Sequence, residues 1–325
     1  MTLPRRKFLH LAAGAAALPA ISSVGWAQAY PGRTLRNIVP FPPAGSVDLS
    51  GRLISHWLSE RLGQQVVIEN RAGAGGNVGS EAAAKAPADG YTILTCSVAN
   101  AISATLYEKL GYDFAKDFAP VCGISRAPNV MVVHPSVPAK TVPEFIAYAK
   151  ANPAKVNMAS SGIGTSIHVS GELFKLLTGV NMVHVPYKGS APMLIDLVAG
   201  QVQVAFDNLP PSLPHIQSGK LRALAVTTAT RSEVLPELPP MADFVPGYDA
   251  STWAGIVAPR NTPADVIERL NKEINAGLAD AKIKTRLAEL GAAPLTGSPA
   301  EFQKFIAEDI ARWAKVIRAG NIKPE

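Results

Sequence analysis

Apolar positions along the chain switch repeatedly between short runs typical of buried strands and a period near 3.6 typical of helices. Residues 36–41 (Arg-Asn-Ile-Val-Pro-Phe) form such a run. Leu49, Leu53 and Trp57 follow, with Ile54, Leu58 and Leu62 on the adjoining stripe, and predict an amphipathic helix. The alternation continues through 66–69, the Ala-rich 79–86, 91–97, 130–134, a helix after Thr141, and 156–160. Further strands are predicted over 202–206, 221–227 and 252–259, and two long helices over 263–290, with a break, and 299–319. Strands separated by helices imply parallel α/β sheets covered on both faces.

Helix starts are also marked chemically. Thr141 with Glu144 and Ser298 with Glu301 have capping-box spacing, the second with Pro299 at the first helical position, where its missing N–H costs nothing. Roughly 300 residues beyond the N-terminal segment exceed one usual domain and favour two lobes. No low-complexity linker or internal repeat appears, so the lobes are expected to share the chain by crossing more than once, as 30–128 with 253–325 and as 129–252.

The chain opens Met1-Thr2-Leu3-Pro4-Arg5-Arg6-Lys7, a twin-arginine start, and continues into an apolar stretch over 11–24 that is short for a bilayer span. Residues 1–29 read as an export signal, cut before Gln28 or before Tyr30, with a membrane anchor as the alternative. No later segment reaches a spanning length without charge, so a soluble periplasmic protein is expected. Losing Arg5, Arg6 and Lys7 lowers the formal charge from +6 to about +3. That mild surplus, without basic runs interleaved with aromatics, argues against a nucleic-acid partner. Cys96 and Cys122 lie in strand-like surroundings and are compatible with one disulfide or two buried thiols. No Cys-x-x-Cys occurs and the histidines lack metal spacing, so neither cofactor nor metal is expected.

Two loops have the form of an anion site, a strand running into a helix whose first amides are unpaired. One is Phe41-Pro42-Pro43-Ala44-Gly45-Ser46-Val47-Asp48. The other is Ser160-Ser161-Gly162-Ile163-Gly164-Thr165-Ser166, leading to His168. In opposite lobes these helix ends would face each other across a cleft, whereas a plain strand–helix turn is the alternative for each. Gly164 is expected where the ligand's carboxylate meets the backbone. A third cluster, Gly73-Ala74-Gly75-Gly76-Asn77-Val78, fails the dinucleotide fingerprint because valine stands at the third glycine position. Asp207, at the end of a predicted strand, reads either as an acceptor for a ligand amine or hydroxyl or as the cap of the next helix. Ser97, Asn100 and Tyr187 are candidates for the pocket's far end. Ser160-Ser161 is not in a Gly-x-Ser-x-Gly elbow, and no catalytic set emerges.

At these residues the chain resembles the Bug family of tricarboxylate-transport-type receptors. The likeness runs through Val39-Pro40-Phe41-Pro42-Pro43 with Asp48, Glu69-Asn70-Arg71 before Gly73-Ala74-Gly75-Gly76, Ala88-Asp89-Gly90-Tyr91-Thr92, Ser160-Ser161-Gly162, His184-Val185-Pro186-Tyr187-Lys188-Gly189 and Gly219-Lys220-Leu221-Arg222-Ala223. It implies a type II periplasmic-binding-protein fold, two doubly wound α/β lobes around a ligand cleft, with a ligand carboxylate held by backbone amides and ordered waters. Ala44 departs from the family's Gly-Gly after the paired prolines. The expected ligand set is Phe41, Pro42, Ala44, Gly45, Asp48, Gly75, Ser97, Ser161, Gly162, Gly164, Thr165, His168, Lys188, Gly189 and Asp207. The resulting expectation is a monomeric, non-enzymatic receptor for a small organic acid, read by the membrane permease subunits of a tripartite transporter. An exported enzyme and a ligand-presenting sensory protein are the rival readings.

Overall fold

Pro40 lacks a backbone donor, and the first strand ends before it at Val39, two residues short of Phe41. The computed structural model describes residues 30–229, 231, 232 and 235–324, and the export-signal reading of residues 1–29 lies outside these. In chain order come β1 (Leu35–Val39), α1 (Ser46–Leu62), β2 (Val66–Asn70), α2 (Asn77–Ala84), β3 (Thr92–Ser97), α3 (Val98–Leu106) and β4 (Phe118–Val133). They are followed by α4 (Val142–Ala151), β5 (Asn157–Ser160), α5 (Ser166–Thr178), β6 (Val183–Pro186), α6 (Ser190–Val198), β7 (Val204–Asn208), α7 (Leu209–Gln217) and β8 (Arg222–Val226). The chain closes with β9 (Ser251–Pro259), α8 (Ala264–Ala279), α9 (Ala281–Glu289), β10 (Ala293–Pro294) and α10 (Pro299–Ala319). The break in the penultimate helix falls at Asp280, which caps α9, and both boxes at Thr141 and Ser298 accept their expected backbone bonds.

The sheets are mixed, not wholly parallel as the alternation predicted. β1, β2 and β3 pair in parallel, as do β5, β6 and β7. β9 inserts antiparallel between β3 and β4, and β7 and β8 pair antiparallel with β4. β4 is therefore shared: residues up to Pro128 pair with β9, and Asn129 onward pair with β7. The sequence pattern shows only the second half of this strand, because Gly123, Arg126 and Pro128 interrupt the apolar run of the first half. α3 and α6 escaped the periodicity for a different reason: α3 is buried at seven of nine positions, so no polar face marks it.

α10 packs over β4 and α3 and anchors the first sheet. Trp253 of β9 is 1% exposed, meets Phe302 and Phe305 edge to face at 5.8 and 5.4 Å, and donates its indole N–H to Asp309 at 2.7 Å. Asp309 also accepts from Arg312 at 2.6 Å, so the buried carboxylate is fully engaged. Cys96 and Cys122 are both buried free thiols; burial pushes the Cys122 thiol up to about 12 and Cys96 higher still, so neither is reactive. Among the described residues no helix is long and apolar enough to cross a membrane.

Under the second glycine loop, His168 of α5 stacks on His184 of β6 with ring centroids 4.1 Å apart. Burial is the main cause that pulls His168 down to about 3, with the His184 and Lys175 charges adding to it, and burial likewise pulls His184 down to about 4. Both rings are neutral, and His168 Nδ1 accepts the Gly164 amide at 3.2 Å.

Two outcomes follow from this packing. Trp253→Ala is expected to cost about 3–5 kcal/mol and Asp309→Ala about 1–3 kcal/mol, the second by orphaning the indole N–H; denaturant unfolding followed by circular dichroism measures both, and losses below about 0.5 kcal/mol would show that α10 does not anchor the sheet. The imidazole NMR signals of His168 and His184, assigned by single replacement with asparagine, should stay at their neutral positions as pH falls from about 8 to about 5, because their pKa values lie below the ordinary histidine value. Titration of either ring near pH 6.5 would contradict the stacked, dehydrated pair.

Candidate functional site

The loop after β1 is built around Asp48, which is 1% exposed. Its Oδ2 accepts the Ala44 amide at 2.9 Å and Arg52 Nε at 2.8 Å, and its Oδ1 accepts Asn70 Nδ2 at 2.8 Å. Burial alone would raise its pKa, but these hydrogen bonds outweigh burial and hold the carboxylate below its ordinary value. Asp48 thus shapes the loop from behind. Ala44 sits at φ 69°, in the region that favours glycine, and its amide is committed to Asp48. Gly45 then caps α1 with no side-chain bond, leaving the first turn of that helix open at its positive end.

Four further helices begin at the same place. Ser97 caps α3, Thr165 caps α5, Gly189 precedes α6, and Asn208 precedes α7. These helix starts border a small cavity lined by Phe41, Pro42, Gly45, Ser46, Val47, Ser97, Val98, Ala99, Ser161, Thr165, Ser166, Gly189, Ser190, Asn208 and Thr252. No lining side chain is charged. Four helix N-termini, those of α1, α3, α5 and α6, meet at one uncharged, hydroxyl-rich cavity and give it a positive potential carried by backbone amides, whereas the first turn of α7 holds Pro210 and Pro211, which have no N–H, and reaches the cavity only through Asn208.

Asn208 ties the walls together. Its amide nitrogen donates to Asn129 at 2.6 Å and to Ser166 at 3.0 Å, and its oxygen accepts Ser46 of α1 at 2.9 Å. Asn129 stands on β4 where its pairing passes from β9 to β7, and it donates onward to Ser170 at 3.0 Å. The helix on the first sheet and two helices on the second therefore meet through one side chain.

Of the predicted set, Phe41, Pro42, Gly45, Ser97, Ser161, Thr165 and Gly189 line the cavity. The other predicted residues stand elsewhere. Ala44 and Asp48 lie behind the first loop. Gly75 touches the second loop, where a Cβ would come within 2.3 Å of the Ile163 carbonyl, so this glycine permits two loops to approach. Gly162 accepts the Thr165 hydroxyl at 2.7 Å. Gly164 was expected at the carboxylate, yet its amide is taken by His168 and a Cβ there would face Leu106 and Tyr107. His168 is buried beneath the loop and Lys188 is exposed, outside the lining. Asp207 lies one residue behind Asn208, wholly buried. Asn100 serves α3's capping box, and Tyr187 donates to Asp196 at 2.7 Å.

The residues missed are mostly first-turn positions: Ser46, Val47, Val98, Ala99, Ser166 and Ser190, with Asn208 and Thr252. A usable signal existed for Ser46 and Ser166, which directly follow the two loops. For α3 and α6 the helices themselves had gone unseen. Among the described residues no group of three His, Cys, Asp or Glu side chains is placed to hold a metal.

Known proteins share this arrangement of elements. The profile of the tripartite tricarboxylate transporter family receptor matches residues 51–322. The chain is 40% identical over 300 residues to protein BugT of Bordetella pertussis, covering 91% of this chain and 92% of that one. The solved structure of R. palustris Rpa4515 with adipate superposes with a TM-score of 0.89 at 43% identity, covering 91% of this chain and 100% of that one. MatC from Rhodopseudomonas palustris with bound malate gives a TM-score of 0.85 at 31% identity, over 89% and 100% of the two chains. The shared fold is that of periplasmic binding proteins, α/β with two lobes around a cleft. The chain belongs to the tripartite tricarboxylate transporter receptor family, the Bug-type solute-binding receptors.

Proposed function

We propose that this receptor binds a small dicarboxylate in the cavity where the four helix N-termini meet, one carboxylate at the first turns of α1 and α5 and the rest of the acid between Phe41 and Ser190. The observation that carries the reading is the convergence of helix N-termini on a cavity without a charged side chain. An anion gains there from many fixed dipoles, and no cation has to be desolvated to receive it. The adipate and malate carried by two structural neighbours are both dicarboxylates, which supports this ligand class.

In this reading residues 30–128 with 253–325 form one lobe and 129–252 the other, β4 and β9 passing between them. The Ser46–Asn208 hydrogen bond is the contact that closure makes and opening breaks. The protein works as a monomer, leaves the cytoplasm by its twin-arginine signal, and hands its acid to membrane permease subunits that read the closed form. It carries out no reaction. The feature closest to catalytic chemistry is the Ser160 hydroxyl, 2.7 Å from His184 Nε2. Ser160 is 0% exposed and lies outside the cavity lining, so the pair braces the loop and meets no ligand.

Calorimetry with adipate, malate and related mono-, di- and tricarboxylates tests the ligand class. At least one dicarboxylate should bind, raise the melting temperature and be recovered chemically unchanged; at a hundred times Kd the stabilisation is about 2.7 kcal/mol. Silence across the panel would remove the carboxylate reading.

Gly45 offers the test of placement, because it sits at φ −77° and a Cβ added there would meet nothing nearer than the Pro42 carbonyl oxygen, at 3.9 Å. Gly45→Asp puts a negative charge at the cavity while remaining a favourable helix cap. Gly45→Asn is its uncharged control. A unit charge near 4 Å is worth on the order of 1–4 kcal/mol, so the aspartate variant should bind the acid about fivefold to nearly a thousandfold more weakly than the asparagine variant. Equal affinities would place the anion elsewhere.

A further inference from the structure

Asp207 is a carboxyl built into the back of the binding site. It stands on β7 between Phe206 and Asn208, which face α5: Phe206 packs on Phe174 at 5.1 Å, and Asn208 bonds Ser166. Side chains alternate along a strand, so Asp207 points to the opposite face. That face is apolar, with Ala205 packed against Met193 and Leu197 of α6 and Leu209 and Leu213 of α7. Oδ2 accepts the Ser212 hydroxyl at 2.6 Å, whereas Oδ1 is buried without a hydrogen bond of ordinary geometry, the Asn208 amide and Ser190 hydroxyl acting on the carboxyl only more loosely.

Its two covering helices both start beside it. α6 begins at Ser190, which lines the cavity, and α7 begins at Leu209, directly after the lining Asn208. A charge on Asp207 therefore draws on the same helix-start dipoles that an anion in the cavity would use. The two negative charges would also stand close together in surroundings poor in water, where like charges repel strongly.

We propose that ligand binding is proton-linked at Asp207, so that the receptor holds its anionic ligand with this carboxyl protonated and weakens as the carboxyl ionises. This rests on the carboxylate reading above. Burial pushes the Asp207 carboxyl up to about 7, against the hydrogen-bonding influence of Ser212, the Asn208 amide and Ser190. No charged neighbour contributes to that shift. The titratable side chains on the packed helices are engaged elsewhere or face away. His168, Glu172 and Lys175 of α5 lie across the sheet, with His168 held by Gly164 and Glu172 paired to Lys175; Asp196 of α6 accepts Tyr187, and His215 lies in the last turn of α7. The adjoining segments of β4 and β5 carry no ionisable side chain at 129–133 or 157–160.

The linkage has a definite sign. A bound anion raises the pKa of Asp207, so complex formation takes up a proton, and affinity falls as pH rises through the free-state value near 7. Adipate and malate are themselves fully ionised above about pH 6.5 and do not confuse the reading. A rise of one pKa unit on binding makes affinity roughly sevenfold weaker at pH 9 than at pH 6.5.

Titration calorimetry with adipate and malate across that range, each in two buffers of different ionisation enthalpy, reads both affinity and protons. Wild type should show the fall and uptake of up to one proton near pH 7. Asp207→Asn, which mimics the protonated form, should bind with flat pH dependence and be tighter than wild type at pH 9. Ser212→Ala removes a donor that favours the charged form, so its fall should begin at higher pH. This second variant decides the matter even where the asparagine variant fails to fold. A wild-type affinity independent of pH, a Ser212→Ala profile that coincides with wild type, or an unchanged slope in Asp207→Asn overturns the proposal while leaving the carboxylate reading intact. Failure of wild type to bind any acid at any pH overturns both.

Discussion

Backbone N–H groups in the first turn of a helix have no partner within the helix, and something must answer them. Here four such turns are brought to one cavity, and the rest of the architecture serves that convergence. The parallel segments deliver α1, α3, α5 and α6 from the ends of β1, β3, β5 and β6, and α3 follows β3 without a loop. Asp48, the His168–His184 pair and the glycine at 75 each work at one remove. One draws the first loop round its carboxylate, one props the second loop through the Gly164 amide, and one lets two loops touch. None meets the cavity, yet each sets where an amide points.

That division explains what could be read from the sequence. Strand–helix alternation, both capping boxes and the two glycine-bearing loops were legible because local chemistry determines them: a cap is a hydroxyl three residues before an acid, and a loop is a glycine cluster between two periods. About half of the expected ligand residues do line the cavity for this reason. The rest fell to a different cause. Charged and ring-bearing residues such as Asp48, His168, Lys188 and Asp207 drew the eye as chemistry, while the lining is made mainly of serine, glycine and small apolar residues whose role comes from where their backbone lies. Side-chain identity says little about a cavity bordered mainly by helix starts.

The strand topology was less legible than the elements. An antiparallel β9 between β3 and β4 is a matter of which distant segments meet, and neither periodicity nor turn chemistry records it. β4 was half seen because its first half contains Gly123, which stands at a register shift against β9, and Arg126 and Pro128, the last at the point where the pairing with β9 ends. The same strand carries Asn129, so a stretch that looked irregular in sequence proves to be the place where the two sheets and the Asn208 network join.

Recognition by peptide amides, as proposed here, would also have a hereditary meaning. Every residue but proline supplies the same N–H, so a point substitution in these first turns can redraw the outline of the cavity without deleting the group that greets the anion. The appetite for an acid is stored in the path of the chain, and the choice of acid in the small side chains along it. A lineage built this way could change its ligand by single steps, because no one codon would hold the property that every such receptor needs.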